Sequence, residues 1–467
     1  MTDSAPRGRS LSYVVSVGIT LAALGLSRLL FNTVGNRTVG LSTVGSANIA
    51  LSLALLCGLP VSAGLAMALS RFVPLLDGAR QITRAVRLST LLGIASTLPV
   101  LAVTCWAYVR TSVDPPSWSR LALIAAWALI YAQYAIGRSL LFARGAIRRV
   151  LALEILGFGL FACALAATFH SPRDWWLPFT LYPLPMAGWS LWQSFSFPSG
   201  ERTVAERDFL RFAALGLLGS AAGQGIQYGS TLAGAALAGR DGAGLWAILL
   251  SVSAPVLLLP RSLSTSYLPR LSALSSTDGN AFAETSREHQ RFSGLLALPA
   301  TIGLMIAGRT FGERLFPAPT AIDPLPIWLT LCVMTFVTCR GEPILTAIAA
   351  RGKAGINAAA ALAGAAMCAA IWLVGYPRAG LLRVAAGLAV YSIAVPLVAA
   401  FIARFSLGPL RPRLYAQASD GIALLALPLM VACGESRWVL LATALATAIA
   451  AAYDARHLIG SIRRVAP

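Results

Sequence analysis

The chain has 467 residues, of which 57% are hydrophobic and only 12% charged, and a mean hydropathy of +0.72. No soluble globular class sustains that composition over such a length, so an all-α polytopic membrane protein is expected. The net charge of +19 does not point to nucleic acid, because the arginines punctuate apolar runs and form neither a contiguous patch nor a binding module.

At about 20 apolar residues per crossing, fourteen transmembrane spans are predicted in chain order: 11–33, 42–69, 86–109, 120–142, 150–169, 175–196, 211–238, 243–267, 292–311, 325–349, 355–375, 381–403, 416–433 and 438–459. The first follows residues 1–10 without a small-residue cleavage site after a short apolar core, and is expected to stay as a helix. Assigning basic residues to the connections together with the span ends that flank them places 24 on the side of the N-terminus and 10 on the other, with Arg28, Arg138 and Arg340 left within spans. This asymmetry predicts that both termini are cytoplasmic. Two connections are longer than the rest: 197–208 is polar and turn-rich, and 270–291 carries Ser, Thr and charge, as a cytoplasmic loop or surface helix would. The seven cysteines lie in apolar runs without a C-x-x-C pair, which indicates neither a disulfide framework nor a metal site.

An internal repeat is visible. The fourth span ends in Ala143-Arg144-Gly145 and the tenth in Ala350-Arg351-Gly352, each followed by a short basic turn and another apolar helix, at an offset of 207 residues. The second and eighth spans agree more loosely, with Pro60 and Pro255 expected to interrupt their helices. Two six-helix lobes related as parallel repeats are therefore expected, 1–200 and 201–414, with an additional helix pair over 415–467. Interrupted helices in repeated halves are the architecture of secondary transporters, with substrate held near the midplane.

The costliest residues lie in 329–351, where Arg340, Glu342 and Pro343 interrupt an apolar run. Each intramembrane charge costs roughly 2.5–3.5 kcal/mol on insertion scales, so such groups face a protein interior or a watery cavity. Arg340 lies about 16 Å from the Arg351 end at ~1.5 Å per residue. Arg28 and Arg138 are shallower, and either line a cavity or snorkel to the interface. Gln224 and Tyr228 share a face of the seventh span, with Gln227 beside them, and Asn48 lies in the second; these either hold sugar hydroxyls or hydrogen-bond another helix. The glycines from Gly216 to Gly229 suit close packing, since no Walker-type lysine follows. No catalytic motif or paired-carboxylate constellation accompanies the isolated His170, His289 and His457, so an enzyme is not expected.

The pattern resembles the multidrug/oligosaccharidyl-lipid/polysaccharide (MOP) flippase superfamily, especially its lipid-linked-oligosaccharide flippases. Ser27-Arg28, the stretch from Gly58-Leu59-Pro60 to Ser70-Arg71-Phe72-Val73, and Ala143-Arg144-Gly145 with Arg148 and Glu154 carry the resemblance. The Arg-Asp pair of the lipid II branch is absent, with Phe31-Asn32 nearby, and so is the acidic first-helix residue of drug-extruding relatives. The resemblance implies alternating-access transport of an undecaprenyl-pyrophosphate-linked glycan across the bacterial cytoplasmic membrane, without a cofactor. It further implies pyrophosphate contacts from Arg340 and Arg28, an entrance role for Arg138, coupling through Glu342, and a polysaccharide polymerase and glycosyltransferases as partners. The rivals are a membrane scaffold for polysaccharide assembly and a drug or small-metabolite exporter.

Overall fold

A computed structural model describes residues 11–73, 79–111, 117–168, 175–195, 206–310, 324–374 and 380–406. Helix is the only regular structure among them. In chain order, these elements are α1 (Leu11–Thr38), α2 (Leu41–Cys57), a π-helical turn (Pro60–Leu65), α3 (Ala66–Phe72), α4 (Ala79–Thr111), α5 (Trp118–Ala143), α6 (Ile147–Thr168), α7 (Leu177–Leu181), α8 (Leu184–Phe195), α9 (Glu206–Thr277), α10 (Gly279–Thr310), α11 (Pro324–Ala350), α12 (Ala354–Val374) and α13 (Gly380–Ser406). Each of the first twelve predicted spans falls on this helical framework, whereas the thirteenth and fourteenth lie outside the described residues. Seven described helices are individually long and apolar enough to cross a bilayer, or eight if one bent pair is counted as a single span. The chain is a multi-pass membrane protein.

The departures from straight spans have local causes. In the second span the axis turns by 52° between Leu41–Cys57 and Pro60–Ser70, because Pro60 has no N–H to give the preceding turn and the strain is taken up in a π-helical turn. Pro255 behaves differently from expectation: α9 runs through it without a break. Its non-helical backbone is instead at Ala238 and Gly239, where φ is +70° at Gly239 and the predicted seventh span ends. Proline removes one helical hydrogen bond, and flanking bonds can carry a helix past it. The sixth span is divided into α7 and α8 at Tyr182-Pro183.

The repeated turn has one backbone design. At the end of α5 the N–H of Ala146 donates to Leu141 O (2.9 Å) and that of Gly145 to Phe142 O (3.0 Å). At the end of α11 Lys353 donates to Ile348 O (3.3 Å) and Gly352 to Ala349 O (2.9 Å), each 207 residues on. Gly145 and Gly352 have φ of +67° and +72°, the left-handed conformation that closes a helix C-terminus at little cost for glycine. Helices α6 and α12 begin two residues later at Ile147 and Ala354, again 207 residues apart.

The chain divides into two compact units, Ala23–Ala247 and Met1–Ala22 with Ile248–Pro467. In the first, Phe31, Trp127, Phe161, Phe179 and Tyr182 are buried in a core between α1, α5, α6 and the broken sixth span. Close backbone approaches accompany it: a Cβ on Gly64 would stand 2.9 Å from Ala213 O, and one on Gly216 3.4 Å from Ala63 O. The expected packing use of the glycine run thus holds at Gly216. In the second unit, Ile344, Ile348, Ala360, Val395 and Ala399 pack α11, α12 and α13 together.

Candidate functional site

The polar residues inside the spans are met unit by unit. In Ala23–Ala247, Arg28 is half-buried on α1 with its guanidinium carbon 5.9 Å from the centroid of the Tyr228 ring. Its Nε is buried without a hydrogen-bond partner, and no carboxylate among the described residues forms an ion pair with it. Gln224 and Gln227 are half-buried on the same stretch of α9 as Tyr228. The Gln227 carbonyl accepts from Ser230 Oγ (2.6 Å), whose oxygen accepts from Trp246 Nε1 (2.9 Å). Arg28 and Tyr228, named separately from sequence, are brought together.

Asn48 has a different setting. Its Nδ2 donates to Asn32 Oδ1 (2.7 Å) and to Val44 O (2.9 Å), while Asn32 Nδ2 donates to Ala247 O (3.1 Å). Both amides are buried, and the Asn48 nitrogen is committed to α1 and to its own helix. That is the helix-pairing use of a polar side chain.

Arg138 is neutralised. Glu154, buried on α6, accepts from Tyr134 Oη (2.7 Å) and Tyr182 Oη (2.5 Å), and its Oε1 lies 3.5 Å from Arg138 Nε. The carboxylate thereby satisfies two phenols, balances a guanidinium and ties α5 and α6 to the break between α7 and α8. Glu154 was legible only as part of the family pattern; Tyr134 and Tyr182 were not singled out.

In the second unit Arg340 and Glu342 are half-buried on α11. Arg340 Nη1 donates to Gln290 O (2.8 Å). Pro343 cannot donate to the Cys339 carbonyl four residues back; Ser293 Oγ donates to that oxygen instead (2.5 Å). Between the two charges Gly341 lies against Pro396 of α13, where a Cβ would stand 2.8 Å from the ring. Pro343 leaves α11 helical, and the carbonyl it frees on Cys339 is an acceptor for α10.

No protein-family profile and no curated protein matches the chain in sequence. Solved structures match in fold. The lipid II flippase MurJ in an inward closed conformation superposes with a TM-score of 0.67 at 13% identity, covering 97% of this chain and 100% of that one. An inward-facing multidrug resistance MATE family transporter of the MOP superfamily gives 0.65 at 12% identity, over 86% of this chain and 99% of that one. The chain shares the fold of these two transporters. A MOP superfamily transporter from Pyrococcus furiosus, described as having a binding pocket of reversed polarity, gives 0.61 at 15% identity over 86% and 95% of the two chains. Within this fold, α1 carries an arginine over an aromatic ring and the α5–α6 pair carries the buried Glu154 cluster.

Proposed function

We propose that this protein is a transporter that flips an undecaprenyl-pyrophosphate-linked oligosaccharide across the bacterial cytoplasmic membrane for cell-surface polysaccharide assembly. The carrying observation is Arg28, an intramembrane guanidinium with a buried, unpartnered Nε, no carboxylate ion pair among the described residues, and the Tyr228 ring beneath it. A desolvated cation in that state is stabilised by an anionic ligand, and a pyrophosphate offers the bidentate acceptors that suit arginine. A cationic drug would meet repulsion there.

The fold supports a transporter, and the greater share of the chain covered by the lipid II flippase than by the MATE exporter favours a lipid-linked cargo. Arg28 and Arg340 are each proposed as pyrophosphate contacts; Gln224 and Gln227 hold sugar hydroxyls. Arg138 and Asn48, committed to Glu154 and Asn32, position helices around the path, and Glu342 is the coupling carboxylate. Both termini are cytoplasmic, no catalytic step is involved, and the polymerase and glycosyltransferases of the same glycan are the partners.

The test is translocation of a labelled polyprenyl-pyrophosphate sugar in proteoliposomes. Arg28→Ala is expected to lower the rate at least tenfold and Arg28→Lys to retain part of it, with Arg340→Ala also impaired. Unimpaired translocation by the folded Arg28→Ala protein would overturn the assignment. Absence of translocation by the wild type, with intact polysaccharide assembly complexes, would favour a scaffold.

A further inference from the structure

His289 has no part in that scheme. It lies on α10, three residues before the predicted ninth span, and is completely buried. Its ring stacks on Tyr267 of α9, with centroids 4.6 Å apart and planes 5° from parallel. Nε2 is 3.4 Å from Ser264 Oγ, and Nδ1 is buried with no hydrogen-bond partner. A phenylalanine would stack equally well without an orphaned nitrogen, whose burial costs about 1–3 kcal/mol. In the tautomer whose Nε2–H donates to Ser264, the Nδ1 lone pair is a proton acceptor with no competing donor.

The hairpin that carries this nitrogen also meets α11. The end of α9 and the start of α10 form a helical hairpin around Asp278, whose Oδ1 accepts from the N–H groups of Asn280 and Ala281 (2.9 and 3.0 Å). The hairpin packs through Leu271 and Phe282 on Ala347 and Ala350, and Arg351 lies 4.1 Å over the Phe282 ring. Immediately after His289 come the Gln290 carbonyl that receives Arg340 and, at 293, the serine that caps Cys339. The titratable and charged groups on the elements that meet here are Tyr267 beneath the imidazole, which also hydrogen-bonds Glu288; Glu288 and Arg270, paired at 3.5 Å; Asp278, Glu284, Arg287 and Arg291 of the hairpin; and Arg340, Glu342 and Arg351 from α11 and its end. No carboxylate among the described residues forms an ion pair with the imidazole, so a charged ring requires water.

We infer that His289 is a proton-binding site whose occupancy releases the α9–α10 hairpin from α11 and with it the Gln290 carbonyl from Arg340. One proton from water bonds to Nδ1; no other bond changes. Burial holds the docked imidazole down at about 3 against an ordinary 6.5. The docked state is therefore unaffected above 6.5 and weakened as pH falls through the window from 6.5 to about 3, because only the hydrated state takes up the proton. Between pH 7.5 and 5.5 the docking equilibrium changes about tenfold. The consequence for Arg340 rests on the proposed transport reading; the hairpin's release does not.

The experiment uses the full chain in nanodiscs. Hydrogen–deuterium exchange over 264–293, corrected for the intrinsic rate, is compared at pH 7.5 and 5.5, and imidazole NMR follows the three histidines of the chain, with His289 assigned from a His289→Gln sample. The wild-type hairpin is expected to lose protection about tenfold at pH 5.5, with the charged His289 signal confined to the undocked population, and His289→Phe and His289→Gln to lose the pH response. Equal wild-type protection at both pH values, or the same loss in both variants, would overturn the inference. Neither readout needs a substrate, so failure here is distinguishable from failure of the flippase reading.

Discussion

Removing the Glu154 carboxylate leaves Arg138 as a buried cation and strands the hydroxyls of Tyr134 and Tyr182. Breaking one side of a buried pair costs on the order of 3–5 kcal/mol, whereas replacing both partners with apolar residues of similar volume is often neutral. Glu154→Ala is therefore expected to lower the thermal unfolding temperature sharply, and the Arg138→Met/Glu154→Leu double variant to recover most of the loss. A double variant as unstable as the single would show that the pair is not the origin. At this scale the sequence discloses residue type and depth but not partnership. Arg28 and Arg138 look alike as lone arginines in apolar spans, yet one lies over a tyrosine ring without a carboxylate and the other beside Glu154. The difference depends on residues 16 and 44 positions from Arg138, Glu154 and the Tyr182 that joins it, and on Tyr228, 200 positions from Arg28, and no local pattern specifies such contacts.

At the scale of elements, Pro343 is visible in the sequence while its consequence is not. The carbonyl it leaves free on Cys339 is met by Ser293, and Gly341 alongside admits Pro396. Gly341→Val would overpack that crossing, at a cost of about 1–3 kcal/mol, and is expected to lower the melting temperature more than Ser293→Ala, which forfeits a single hydrogen bond of about 1 kcal/mol. Thermal melts of the two variants check the order. Span existence was legible because twenty consecutive apolar residues have few other uses. Interruptions were less so: Pro60 bends its helix whereas Pro255 is carried through α9, since a proline only makes a break available and the surrounding packing decides whether it is taken.

For the whole molecule, the 207-residue repeat was legible in three residues and is matched by hydrogen bonds at both turns. What the letters omit is that the repeat is not one of chemistry. Arg340 corresponds in register to Gln133, whose Oε1 accepts from Thr90 Oγ1 (3.4 Å) in a buried hydroxyl network with Ser194, while Arg138 corresponds to Leu345. Backbone design is kept and side-chain charge is not. Gly145→Val and Gly352→Val each force a β-branched residue into left-handed backbone, at roughly 1–2 kcal/mol, and are both expected to lower the yield of folded protein, with Asn the best-tolerated replacement. Fluorescence-detected size exclusion of the variants measures this. The two glycines also predict the form of a complete substitution map of the chain. Positions in the turns would show the same narrow preference twice, 207 residues apart, against unrelated preferences at the buried polar positions between them. Such a profile would let the ancestry of the two copies be read from tolerance to mutation, independently of how few residues they still share.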